Sequence, residues 1–354
     1  MPRAIRKITF PLSLLLIVSV LVTFAPGQSG GTSQGDKSVG HKYDKLISYD
    51  VDAYKWFPDK KPPAEPVRKN STIKITPLLD LDRVPGAFYM DFNWVDKGSS
   101  KDYLESQEHV NPFDEVIGFI GTQGEKTAHE LGGEVEIWLG GEKYLITKSC
   151  LIFLPKGLPH CPLRFNRVDS RILFFTFGRT TKYGLTHTKF SDARSAERIN
   201  AKYISYDVNP SKVSPEAVKK EMMEDKKIGS TVQGTHLLDL DQAPGSFYTD
   251  FAWLWGGSAK GNSVVAHSHD FDEVIGFIGT KGGQKDPNDL GGEMEVWLGG
   301  EKYLITKNCL IFVPKGMTHC PIRFNRVDAP ILFFTVGMAG TYSSSPSYDF
   351  VTGH

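Results

Sequence analysis

Cysteine is scarce in this chain. There are four in 354 residues, and no two are spaced C-x-x-C, which excludes a zinc knuckle or a thioredoxin-like redox pair. A charge excess is also missing. Lys plus Arg and Asp plus Glu both number 41, so bulk electrostatics offers nothing to nucleic acid. Long apolar runs are absent except for Phe10 to Ala25, which is short for a membrane-spanning helix. That run follows the basic start M-P-R-A-I-R-K and precedes the small residues Ala25 and Gly27. This is the pattern of a secretory signal peptide over residues 1–27. It predicts a secreted or periplasmic protein with no stable membrane insertion after cleavage; an uncleaved N-terminal anchor is the alternative. No cysteine lies near the junction, which argues against a bacterial lipoprotein. Losing Arg3, Arg6 and Lys7 leaves 38 basic residues against 41 acidic ones, a mature charge near −3.

What the chain does have is 40% hydrophobic and 12% aromatic residues, enough for packed cores, and a length that suits two domains. It also repeats itself. I-S-Y-D-V occurs at Ile47 and Ile204, L-L-D-L-D at Leu78 and Leu237, and F-D-E-V-I-G-F-I-G-T at Phe113 and Phe271. W-L-G-G-E-K-Y-L-I-T-K occurs at Trp138 and Trp297, R-F-N-R-V-D at Arg164 and Arg323, and I-L-F-F-T at Ile172 and Ile331. The offset from Phe113 to Phe271 is 158 residues, too long for a solenoid and right for a duplicated domain. The expected organisation is a signal peptide (1–27), a Gly/Ser-rich linker (28–42), a first copy (43–180), a polar linker (181–200), a second copy (201–341) and a loosely ordered tail (342–354).

Within each copy, short strand-like runs such as G-E-M-E-V-W-L, E-K-Y-L-I-T and C-L-I-F-V-P alternate with Gly-Gly, Pro-Gly and Pro-Lys-Gly turns. That punctuation predicts an all-β sandwich or barrel. One helix is predicted at Pro215 to Lys226, with Ser214 as its N-cap.

Ligand chemistry concentrates in V-V-A-H-S-H-D-F-D-E-V, where His267 and His269 stand two apart on a strand and so share a face. Glu273 follows, and His319 comes later in V-P-K-G-M-T-H-C-P. Three imidazoles and a carboxylate suit Mn, Fe, Zn, Ni or Co. The spacing resembles the cupin superfamily. Gly261, His267, His269 and Glu273 fall on its first motif, with Gly279 one residue early; Pro314, Gly316 and His319 fall on its second, with Asn308 and Arg323 departing from it. The resemblance implies two tandem double-stranded β-helix (jelly-roll) barrels and a metal site in the second. It implies no particular reaction, because cupins span oxidases, dioxygenases, decarboxylases, isomerases, lyases, storage proteins and sugar-binding domains.

Aligned on F-D-E-V, the first copy offers His109, Asn111, Glu115 and His160. Asn111 replaces an imidazole, and Tyr103 replaces the leading glycine. An amide oxygen is a poor substitute on such ions, so the first site is expected to be degenerate, weak or empty, unless Asn111 or a water completes it. Arg323, counted along the strand from His319, is a candidate catalytic residue aimed at a substrate carboxylate; the alternative is that it braces the wall against Glu293 or Glu295. Phe251, Trp253, Trp255 and Phe277 are either pocket wall or plain core. Cys150 and Cys161, like Cys309 and Cys320, are either bridged or buried as small apolar groups. Asp272 and His236 are the remaining acid–base candidates.

The leading expectation is a secreted metalloenzyme of oxidase, dioxygenase or decarboxylase type acting on a small oxygen-rich or carboxylate substrate. No counterpart of a decarboxylase lid carrying a catalytic glutamate is evident. The other readings are a non-catalytic binding or storage protein with a structural metal, and a sugar isomerase or epimerase. A homo-oligomer is compatible with any of the three.

Overall fold

The computed structural model describes residues 41–49, 73–98, 103–105, 107–124, 127–190, 198–206, 232–259, 265–281 and 288–346. The expected signal peptide, most of the first linker, the expected helix at Pro215 to Lys226 and the motif residue Gly261 lie outside them. Among the described residues no helix is long and apolar enough to cross a membrane.

The first copy contributes β1 (Ile47–Ser48), β2 (Ile73–Leu79), β3 (Tyr89–Val95), β4 (Tyr103–Glu105), β5 (His109–Val110), β6 (Glu115–Gly121), β7 (Glu130–Leu139), β8 (Glu142–Lys148), β9 (Cys150–Leu154), β10 (His160–Val168), β11 (Ile172–Gly178) and β12 (Thr186–His187). The second follows as β13 (Ile204–Ser205), β14 (Val232–Leu238), β15 (Thr249–Leu254), β16 (Gly257–Ala259), β17 (His267–Ser268), β18 (Glu273–Gly279), β19 (Asp289–Leu298), β20 (Glu301–Lys307), β21 (Cys309–Val313), β22 (His319–Val327), β23 (Ile331–Gly337) and β24 (Ser345–Pro346). The fold is all-β. Four antiparallel sheets form two jelly-roll barrels: β13-β9-β6-β11-β3-β2 faces β12-β5-β10-β7-β8 in one, and β1-β21-β18-β23-β15-β14 faces β20-β19-β22-β17-β24 in the other.

Each inner sheet is buried on both faces, which explains why runs such as E-V-I-G-F-I-G are continuously apolar rather than alternating. In β6, Ile117 and Phe119 point into their own barrel, while Val116 and Ile120 join a core shared by both copies. The heart of that shared core is a ring stack. Phe175 and Phe334 lie 4.9 and 4.8 Å from Phe92, and 4.9 Å each from Phe251. Gly118 and Gly276 leave the room it needs: a Cβ there would sit 2.0 Å from Phe175 Cζ and 1.9 Å from Phe334 Cζ. Phe251 and Trp253 are therefore core between the barrels, and Phe277 is core within the second.

Sheet pairing crosses the boundaries drawn from the repeat. β1 pairs with β21 of the second copy (Ile47 opposite Ile311), and β13 pairs with β9 of the first (Ile204 opposite Ile152). Residues 43–48 and 199–205 thus belong structurally to the opposite barrel. The anchors are reciprocal: Lys42 N donates to Glu301 and Tyr43 N to Tyr303, while Ile199 N and Asn200 N donate to Glu142. The backbone amides of each entry segment need acceptors, and the other copy supplies them from the edge strand of its inner sheet (β21 or β9) and from side chains on the edge strand of its outer sheet (β20 or β8).

His236 on β14 is buried, and neither of its ring nitrogens has a well-formed hydrogen bond. It is not at the metal cluster. Burial pushes its pKa from 6.5 down to about 4. The unfolded chain therefore takes up a proton on His236 first as pH falls, and stability is lost between pH 6.5 and 4. Replacing His236 by Leu should remove that loss. Urea unfolding at pH 7 and pH 4.5 should show the variant gaining about 2–3 kcal/mol on the parent across this interval; parallel pH dependence would contradict the assignment.

Candidate metal centre

β17 and β22 run side by side with His267 directly opposite His319. His269 lies two residues along from His267 and faces the same way, and Glu273 opens β18. His267, His269 and His319 each offer a ring nitrogen within 4.8 Å of the others, and all three are buried. Glu273 Oε2 is 3.1 Å from His319 Nε2 and 3.5 Å from His269 Nε2. The four side chains expected from the sequence are brought together.

Backbone carbonyls fix the orientation of each ring. His267 Nδ1 meets Val265 O at 2.7 Å, His269 Nδ1 meets Ser343 O at 2.5 Å, and His319 Nδ1 meets Met317 O at 3.1 Å. A carbonyl can only accept, so each Nδ1 carries the proton and each Nε2 presents its lone pair inward. His269 Nε2 and Glu273 Oε2 are buried with no hydrogen-bond partner. Inward lone pairs beside an orphaned carboxylate oxygen are what a cation requires and what an empty apolar core would forbid. The donor set fits a divalent transition metal.

The charges agree. Burial alone would raise Glu273, but His269 and His319, when protonated in the absence of metal, outweigh it and hold the carboxyl down to about 2. Burial, then the neighbouring His319, lowers His267 to about 4. His269 is also disfavoured as a cation by burial, yet Glu273 outweighs this and raises it. Glu273 and His267 are poised to act as ligands well below neutral pH, and His269 is where protons compete with metal.

The first barrel places His109 opposite His160 in the same way. Their Nδ1 atoms meet Gln107 O at 3.2 Å and Leu158 O at 2.9 Å. Glu115 Oε2 is 3.4 Å from His160 Nε2. Asn111 takes the place of His269, beside Tyr183. The third donor near the two imidazoles is Cys161: His109, His160 and Cys161 form the second buried group suited to a metal ion. All four cysteines are free and buried, so the bridging alternative is not taken.

Arg323 requires a correction. Counting by alternation placed it on the face of His319. In the structure Leu298 pairs with His319 and Val296 with Ile322, so β22 carries one extra residue between them. Cys320, with φ 68°, lies in that bulge. The extra residue reverses the alternation. Ile322 and Phe324 point into the core, and Arg323 points outward, with Nη1 2.8 Å from Glu295 Oε1. Arg164 and Glu136 make the same pair in the first copy at 3.1 Å. This is the wall-bracing arrangement. Asp272 is likewise structural, accepting from Lys315 N at 2.8 Å.

Two residues escaped the sequence reading. Tyr342, in the stretch taken for a loose tail, meets the His269 ring edge-on at 5.2 Å, and its hydroxyl is 3.4 Å from His267 Nε2. β24 holds this segment in place by pairing with β17. Tyr183 occupies the same place in the first copy, where β12 pairs with β5. Extending the repeat alignment past I-L-F-F-T would have matched them.

No family model matches the chain, and no curated sequence does. Solved structures do. Oxalate decarboxylase from Bacillus subtilis at pH 4.6 is 12% identical, with a TM-score of 0.45 over 76% of this chain and 73% of that one. A two-residue deletion mutant of the same enzyme is 13% identical, with a TM-score of 0.46 over 79% and 76%. A structure of that enzyme concerned with its Mn(II) centres gives 12% and 0.44 over 76% and 74%. The two-barrel architecture itself rests on the strand order.

Proposed function

We propose that this protein is an exported metal-dependent enzyme, an oxidoreductase or lyase acting on a small oxygen-rich or carboxylate substrate at the C-terminal barrel. The observation that carries this reading is the convergence of His267, His269, His319 and Glu273 with every Nε2 lone pair directed inward. The ion would be Mn, Fe, Zn or Ni, and it would supply Lewis acidity toward substrate oxygens, or redox chemistry if iron or manganese. The chain's own residues do the rest. Glu273 offsets the charge, the three carbonyls hold the rings in one tautomer, and Tyr342 places a hydroxyl over His267. Burial, then the Glu273 charge, push the Tyr342 phenol up. It keeps its proton at working pH and can donate it to a substrate oxygen as a hydrogen bond. With Arg323 turned outward, a substrate carboxylate would meet the ion and Tyr342.

A second reading, a binding or storage protein with a structural metal, is favoured by one observation. The four groups are only 1–5% exposed, and the Tyr342–Ser343 segment lies against them. Elemental analysis of the purified protein, with oxygen uptake and carbon dioxide release screened on small carboxylates, separates the two. Metal with turnover, weakened in Tyr342→Phe, supports the enzyme. Full metal content with no turnover on any of them supports the second reading. For export, N-terminal sequencing of secreted material should begin near Gln28; recovery of Met1 would favour the anchor.

A further inference from the structure

We propose that the first barrel is a metal site of a different kind, in which His109, His160 and the thiolate of Cys161 bind a thiophilic divalent ion such as zinc or cobalt, with Glu115 beside them and Asn111 outside the ligand set. The three donor atoms lie within 4.8 Å of one another, and all three residues are buried. Consecutive residues on a strand ordinarily face opposite ways. Here Cys161 adopts φ 69°, and β10 carries an extra residue between His160 and Leu163. This brings Cys161 beside His160; the same bulge and φ recur at Cys320, so the missing third imidazole, not the backbone, sets the first site apart.

One further observation points to a cation. His160 Nε2 and Glu115 Oε2 are buried without hydrogen-bond partners, as are both amide atoms of Asn111; orphaned donors of this kind are what a metal leaves when viewed without it. The second barrel differs. There the corresponding group is three imidazoles, and Cys320 is not within it. Where one copy has a third imidazole, the other has an amide and a thiol in reach. Thiolate and imidazole together suit zinc and cobalt(II), whereas an amide oxygen adds little. On binding, the Cys161 S–H proton leaves to solvent and an Sγ–metal bond forms, with no change of oxidation state.

This site does not depend on the function proposed for the second barrel, and the test keeps them apart. The full chain, stripped with a chelator, is titrated with cobalt(II) alone and followed by near-ultraviolet absorption and native mass spectrometry. The expected result is thiolate-to-cobalt charge transfer equivalent to one thiolate per chain. It should persist in Cys320→Ser and in His269→Asn and vanish in Cys161→Ser. Cobalt bound without that absorption, a band surviving in Cys161→Ser, a band lost in Cys320→Ser, or no cobalt bound at all would overturn the proposal. If Cys161→Ser does not fold by circular dichroism, His109→Gln carries the test: at least a tenfold weaker thiolate signal at fixed cobalt supports the site, and an unchanged titration overturns it.

Discussion

Gly279→Ala is expected to cost about 3 kcal/mol or more, the upper end for overpacking a close-packed site. A Cβ at this position would lie 2.0 Å from Leu290 O, 2.5 Å from Leu290 C and 2.8 Å from Leu290 Cα. These are backbone atoms of β19, so no side-chain rotation relieves the clash; the two sheets must separate where β18 ends. Gly276→Ala should cost less, though still heavily. Its Cβ meets only the Phe334 ring, but that ring is held between Phe92 and Phe251 at 4.8 and 4.9 Å. Gly316→Ala is the mild comparator: φ is 77° with nothing within 4 Å, so it should cost about 1 kcal/mol of backbone strain. Urea midpoints should therefore fall in the order Gly316→Ala, Gly276→Ala, Gly279→Ala. A Gly279→Ala chain as stable as the parent would mean that the sheets do not meet there as described.

His269→Asn should empty the C-terminal site at metal concentrations that saturate the parent. Losing an outer hydrogen-bond partner of a ligand costs roughly 10–100-fold in affinity, and losing a donor atom should cost more. At a pH where His269 is neutral the change leaves charge unaltered, so a loss measured there reports donor quality. It also frees Glu273 Oε2 of its contact at 3.5 Å. Metal content measured on the purified variant decides the matter: full retention in the second barrel would show that His269 is not a ligand. Asn111→His is the converse, adding a third imidazole beside His109 and His160.

The duplication and the all-β class were legible because the chain states them twice, in runs long enough to carry a period; the four second-barrel groups were legible from their spacing. What was illegible depended on partners rather than pattern. I-S-Y-D-V is visible as a repeat at Ile47 and Ile204, yet a two-residue strand carries no sign of which sheet it will join. Arg323 was misplaced because alternation counts assume an unbulged strand. The H-C-P at His319, where the cysteine takes a left-handed φ, is the signal that the count fails. The same bulge in the first copy hid Cys161, which a strict alternation puts on the face opposite His160. Tyr342 was overlooked because its surroundings are small and polar, and composition alone does not reveal that β24 ties them to β17.

The reciprocal pairing of β1 with β21 and β13 with β9 bears on how such a chain arises. A lone repeat would carry its opening strand as a loose arm and leave the matching sheet edge bare. Two such molecules would cure both defects by lending arms to each other, giving a swapped homodimer. Joining the copies in tandem makes that embrace intramolecular, at an effective concentration no free partner reaches. Either half made alone should therefore seek a twin.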